Sequence, residues 1–287
     1  RIEHLRDLFT ERQYPLGHGV LQGRCAVLFQ AKVSAIPSDG GGINTSLLRD
    51  RLKKEKPRFV YLMPNFQNPT GLSYPLERRQ ELAALAREYD VIIIEDDPYS
   101  ALRFEGERMP SLFSLAKGGN VVYLSSFSKT IAPGLRVAYV AGAADLLTKL
   151  VIAKQGTDLQ TNTLGQYIVN EYLESGHYQK HLDRVTQTYR ERRDVMLAAL
   201  ESHFPKSVSW NKPSGGMFFW VRLPDGSDAG AVLNKCIEHN VAFVPGNEFY
   251  PDGSGKNTMR LNFTNATSTD IEQGIKRLGE VLKENGL

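Results

Sequence analysis

Four short stretches concentrate polar side chains at the ends of runs that read as strands, where open parallel sheets bind their ligands. In residues 64–71, PNFQNPTG, Asn68 precedes a proline that biases it toward extended geometry. The stretch is either a tight turn or an amide held rigidly toward a ligand. Residues 95–99, EDDPY, set three consecutive carboxylates after an apolar run. Buried without partners, such charges are strongly unfavourable. They form a solvated acidic loop, a metal site, or a seat for a cationic ring, and no nearby histidine favours metal. Residues 125–136, SSFSKTIAPGLR, surround Lys129 with Ser126, Ser128 and Arg136. Hydroxyls beside a guanidinium suit a phosphate, although the glycines of a Walker loop are absent. Residues 258–263, TMRLNF, place Arg260 between Met259 and Leu261. A guanidinium in an apolar strand calls for an anion, either an internal Asp or Glu or a substrate carboxylate.

The elements that must position these residues alternate along the middle of the chain. Apolar, β-rich runs at 59–63, 91–94, 121–124 and 137–140 predict strands. The unbroken Val-Ile-Ile-Ile at 91–94 predicts burial on both faces. A helix is predicted over 75–89, with Pro75 at its start and Glu77 close behind. Strands separated by helices imply an α/β layered domain with a mainly parallel sheet. Farther on, 146–169 reads as one helix and 177–200 as a second, long enough to connect domains. Strands at 217–221 and 259–263 and a helix at 229–239 follow. The last helix is expected to open on a Thr269–Glu272 capping box and to bury Ile271, Ile275, Leu278 and Leu282. This is a small α+β domain. The expected division is 1–185 for the large domain and 186–287 for the small one.

With 41% hydrophobic and 23% charged residues over 287 positions, the composition is that of an ordinary globular chain. Its 35 basic and 32 acidic residues nearly balance, which gives no push toward nucleic acid. The basic run at 49–58 is interrupted by Asp50 and Glu55 and reads as the solvated end of a helix. Two distant cysteines, Cys25 and Cys236, make neither a disulfide framework nor a zinc site, so a reducing, cytoplasmic setting is expected. No apolar run approaches a membrane span. His177 and His181 lie four apart on a helix without a third ligand, so no metal is expected there. Trp210, Phe218, Phe219 and Trp220 read as small-domain core.

Taken in order and spacing, the four polar stretches resemble the class I and II aminotransferases of pyridoxal-phosphate fold type I. The likeness is closest to the branch of 2-aminoadipate and kynurenine aminotransferases and the aminotransferase-like domains of MocR-type regulators. Asn68 precedes Asp96 by 28 residues, Asp96 precedes Lys129 by 33, and Arg136 follows Lys129 by seven. The resemblance implies an aspartate-aminotransferase-like large domain, a small C-terminal domain, and pyridoxal 5'-phosphate as cofactor. It implies that Lys129 binds the cofactor as an aldimine and that Asp96 pairs with the ring nitrogen. Asn68 and Tyr99 would meet the phenolic oxygen. Ser126, Ser128 and Arg136 would hold the phosphate, and Arg260, with Asn68 beside it, the substrate carboxylate. Pro98 stands where many relatives have Ala. The implied activity is ping-pong transamination between an amino acid and a 2-oxo acid, in a homodimer with shared active sites. The alternatives on this scaffold are the effector domain of a MocR-type regulator and a lyase or synthase.

The resemblance begins near residue 25. The Ser-Gly-Ser or Gly-Ser-Gln loop and the ring-stacking aromatic of relatives are not recognisable between Arg1 and Arg24. Two explanations are open, a join near residues 20–25 with intervening segments missing or a truncated chain, and the join is the one expected because a sheet lacking so much would expose its core. The glycines at 40–42 read as a turn, and those at 215 and 216 resemble a turn near the substrate.

Overall fold

A computed structural model of the protein describes residues 13–16, by backbone alone, and 32–287. The expected join near 20–25, and Cys25 with it, lies outside the described residues.

The chain enters through β1 (Gln13–Leu16), β2 (Lys32–Ala35) and a small hairpin of β3 (Ser38–Asp39) and β4 (Gly42–Ile43). Helix α1 (Thr45–Glu55), capped by the Asn44 side chain on the Leu47 amide, leads to β5 (Phe59–Leu62). Helix α2 (Leu76–Glu88) leads to β6 (Ile92–Asp96), and the single turn α3 (Leu112–Leu115) leads to β7 (Val121–Ser126). After β8 (Ala138–Ala141) come three helices, α4 (Ala144–Thr157), α5 (Thr163–Glu174) and α6 (His177–His203). The remainder is β9 (Ser209–Trp210), β10 (Phe218–Arg222), α7 (Ala229–Glu238), β11 (Val244–Pro245), β12 (Thr258–Asn262) and α8 (Ser268–Glu284).

The main sheet has the order β2-β1-β5-β6-β7-β8, parallel throughout except for antiparallel β8. Side chains alternate across it. Val60, Leu62, Ile93 and Val121 pack with Leu48, Leu82 and Leu85 on the helical side. Tyr61 and Ile94 face a second cluster with Met63, Phe66, Tyr99, Leu182 and Phe218. The β6 strand is fully buried only on the first side, since Ile92, Ile94 and Asp96 are half-buried. That corrects the expectation of burial on both faces: the second side is the one that opens toward the polar residues.

The second sheet, β11-β12-β10-β9, is antiparallel. It packs under α7 and α8, where Phe219, Val221, Met259, Leu261, Ile271, Ile275, Leu278 and Leu282 form one core. Phe218 departs from the expected small-domain core because alternation turns it to the opposite face. The 27-residue α6 joins the two parts: Leu182 packs on the Tyr61 cluster, whereas Met196, Ala199 and Leu200 lie in the second core.

Two further expectations are corrected. The helix over 146–169 is broken at 158–162, where Leu159 is left-handed (φ 63°) and the Asn162 side chain accepts the Gly165 amide at 2.9 Å. The last helix starts earlier than its supposed box. Thr267 is the cap, accepting the Asp270 amide at 3.2 Å and donating to the Asp270 carboxylate at 2.6 Å.

Candidate active site

The three acids of β6 separate because a strand sends alternate side chains to opposite faces. Glu95, fully buried, turns to the helical side and accepts the Leu112 and Phe113 amides at 3.0 and 2.9 Å, capping α3 from outside. Burial outweighs those two bonds and pushes its carboxyl up to about 7. Asp97 shares that side, accepting the Ser100 amide at 3.0 Å and the Tyr123 hydroxyl at 2.8 Å. Asp96 alone faces the other side, where it accepts a hydrogen bond from the Tyr61 hydroxyl. Burial raises its carboxyl, the Tyr61 bond opposes that, and the neighbouring Asp97 adds to the rise. Tyr99, buried close by, has its phenol pushed up to about 12, chiefly by desolvation.

Lys129 lies in the turn directly after β7, next to β6 in the sheet. It is half-buried, and its amine has no hydrogen-bond or ion-pair partner among the described residues. The turn before it is fixed by Ser126, whose hydroxyl donates to the Ser128 hydroxyl at 2.9 Å and accepts the Ser128 amide at 3.1 Å. The Phe127 amide ties the turn to the Val137 carbonyl at 3.1 Å. Arg136 ends the following single turn of 3-10 helix in a left-handed conformation (φ 55°), with its side chain exposed.

Asn68 sits in the loop after β5. Fully buried Arg79 staples that loop, donating to the carbonyls of Pro64, Tyr74 and Pro110 and to the Asn65 side chain at 2.7–3.1 Å. Gly71 closes the loop at φ 67°; a Cβ there would come within 2.7 Å of the Phe218 carbonyl. The Asn211 amide of the small part donates to the Thr70 carbonyl at 2.9 Å, and Arg260 donates to Asn68 Oδ1 at 2.6 Å.

Arg260 therefore answers the question posed by its sequence. No carboxylate pairs with it among the described residues. Its guanidinium lies 4.4 Å from the Phe218 ring centroid and 5.0 Å from that of Phe249, and its buried Nε has no partner. Burial lowers its pKa. A desolvated guanidinium with an orphaned N–H, held between two aromatic faces, is prepared for an incoming anion.

The structure thus gathers Asn68 and Arg260 by direct contact. Asp96 and Lys129 follow from strand adjacency, and Ser126 and Ser128 lie in the turn next to Lys129. Sequence reasoning missed Tyr61, Phe218 and Phe249 as parts of this site. For Tyr61 a signal existed: parallel register opposite Ile94 puts it on Asp96's face. An open cleft of about 500 Å³ near Asp97, Arg108 and Tyr139 touches none of Asn68, Asp96, Lys129 or Arg260. Among the described residues, no cluster of three metal-ligating side chains exists. His177 instead contacts Ser175 at 2.7 Å, and both His177 and His181 pack on Tyr172.

Residues 23–278 match the family model described as aminotransferase class I and II. The chain belongs to this family. It is 43% identical over 261 residues to an aromatic-amino-acid aminotransferase of Thermococcus litoralis, covering 89% of this chain and 63% of that protein. It is 44% identical to a 2-aminoadipate transaminase of Thermus thermophilus, covering 86% and 63%. The solved kynurenine aminotransferase of Pyrococcus horikoshii, in complex with PMP, superposes with a TM-score of 0.93 at 39% identity. That match covers 99% of this chain and 74% of the other. The chain thus spans about 63% of the length of these curated relatives. The fold is that of fold type I aminotransferases, as the sequence resemblance implied. The residues present in this aminotransferase-family chain fit a phosphorylated pyridinium aldehyde. An unengaged amine, a buried carboxylate with one oxygen bonded, paired hydroxyls in a turn and a guanidinium without a carboxylate are the donor set that such a group and its substrate need.

Proposed function

We propose that this chain forms the catalytic body of a pyridoxal-phosphate-dependent amino acid:2-oxo acid aminotransferase. What supports the proposal is that β5, β6 and β7 are adjacent parallel strands and that Asn68, Asp96 and Lys129 lie at or just beyond their carboxyl ends. When bound, pyridoxal phosphate supplies an aldehyde that captures amines and a ring that accepts an electron pair from the substrate carbon. Lys129 would hold the cofactor through its ε-amine, and the free ε-amine would be the base that moves the proton at the substrate Cα. Asp96 holds the proton on the ring nitrogen. Asn68 and Tyr99 bind the phenolic oxygen, while Ser126, Ser128 and Arg136 bind the phosphate. Arg260 orients the substrate through its α-carboxylate, with Asn68 fixing the guanidinium. By the same reading, two copies associate through the exposed apolar face of α4 and α5, and the protein works in the cytoplasm. Among the described residues, no helix is long and apolar enough to cross a membrane.

The test is an absorption spectrum with added pyridoxal phosphate, paired with product analysis from an amino acid and 2-oxoglutarate. The wild type should show the visible band of lysine-bound cofactor and form glutamate; Lys129→Ala should show neither. An unchanged band in the variant defeats the assignment of Lys129. A wild-type band without oxo-acid product points instead to an effector-sensing domain or a lyase.

A further inference from the structure

Tyr61 has no part in the chemistry assigned so far, yet it is the residue that touches Asp96. In the parallel register Tyr61 lies opposite Ile94. Asp96, two residues on, is its diagonal neighbour on the same face, within reach of an aromatic side chain. Tyr61 is 5% exposed and packed with Met63, Phe66, Tyr99, Leu182 and Phe218, so its ring has little freedom to leave. Its hydroxyl donates to Asp96 Oδ2. Among the described residues, no other donor reaches that carboxylate.

The neighbouring acids do not share this device. Glu95 takes two backbone amides and Asp97 takes an amide and the Tyr123 hydroxyl, all from the opposite face. A carboxylate with one oxygen anchored cannot spin freely about its Cβ–Cγ bond, and its second oxygen keeps a fixed direction. A hydrogen bond to the charged form also favours that form.

We propose that Tyr61 is the positioning residue for Asp96: its hydroxyl anchors Oδ2 so that Oδ1 is presented, as an anion, to the ring nitrogen of the cofactor. This rests on the aminotransferase reading above and adds to it the group that orients the electron sink's partner. Removing the hydroxyl leaves a buried carboxylate with no donor, beside Asp97. Its affinity for a proton then rises, and its grip on a protonated ring weakens.

The experiment compares wild type, Tyr61→Phe, Asp96→Asn and the double variant. In cofactor-free protein labelled with 13C-aspartate, the Asp96 carboxyl should titrate at higher pH in Tyr61→Phe. In loaded protein, Tyr61→Phe should retain the visible band but bind pyridoxal phosphate about tenfold more weakly. That deficit should grow on acidification. In the Asp96→Asn background, Tyr61→Phe should add little, because its partner charge is gone. An unmoved carboxyl titration beside a normal wild-type band overturns the role of Tyr61 alone. Additive losses in the double variant do the same, since they mean packing. Absence of any band in wild type overturns the aminotransferase reading, and the proposal with it, whatever the titration shows.

Discussion

Glu95 receives two backbone amides, and burial still raises its carboxyl to about 7 from an ordinary 4.5. A carboxyl whose folded pKa lies above its unfolded value holds its proton more tightly in the folded state. Its contribution to stability is therefore present in full below about pH 4.5 and is lost as pH rises through about 7. Glu95→Gln removes that dependence. The variant should lose more stability relative to wild type at pH 5 than at pH 8, by about 2–3 kcal/mol. Urea titrations at both pH values measure the difference, and equal losses at both would refute it. The same residue marks a limit of reading sequence alone. Residues 95–97 stand out as three costly charges, but their three separate solutions depend on which face each occupies and on donors from β5, β7 and α3. Spacing along one chain cannot supply those. Arg260 was legible as a residue in need of an anion. That the anion is not an internal acid became visible only once its neighbours, Asn68, Phe218 and Phe249, were in place.

At the scale of elements, periodic hydrophobicity located β5 to β8 of the central sheet and the buried stripe of α8 to within about two residues, but it gave no sign of β1 or β2. The strongest signals were β-branched runs and i, i+3, i+4 spacing, both local. Boundaries set by single hydrogen bonds were less legible. Between α4 and α5 the chain contains neither proline nor glycine to announce a break, and a left-handed Leu159 and the Asn162 cap make it instead. The start of α8 offered two threonines followed three residues later by an acid: Thr267 with Asp270, and Thr269 with Glu272. The backbone is extended at Thr267 (φ −70°, ψ 162°) and helical by 268, so only the first pair can cap. Thr267→Ala should cost about 1 kcal/mol, and Thr269→Ala no more than a few tenths. Both are exposed, so lost packing does not obscure the comparison. Denaturant midpoints for the two variants decide it; the reverse order would mean that the helix begins two residues later.

At the scale of the whole molecule, two contacts between the large and small parts lie at the site: Asn211 reaches Thr70 and Arg260 reaches Asn68. A third, between buried Arg193 of α6 and Glu105, ties the parts elsewhere. A shift of the small part would move the guanidinium that is to hold the substrate. Away from this junction, α4 buries none of its residues. Val151, Ile152, Leu159, Leu164, Tyr167 and Ile168, all on or between α4 and α5, are 44–71% exposed. A second copy seated there would remove this surface from solvent, and pairing would then stabilise each fold by mass action. Light scattering should give twice the chain mass at micromolar concentration, with a Tm that rises with protein concentration. Ile152→Glu combined with Tyr167→Glu should shift the protein toward monomer and abolish that concentration dependence, because two buried charges are unfavourable in an apolar interface and nearly neutral on a solvated helix. A monomeric wild type with a concentration-independent Tm would leave the α4 and α5 face without a second copy as its occupant. It would also separate the folding of this chain from any sharing of its active site.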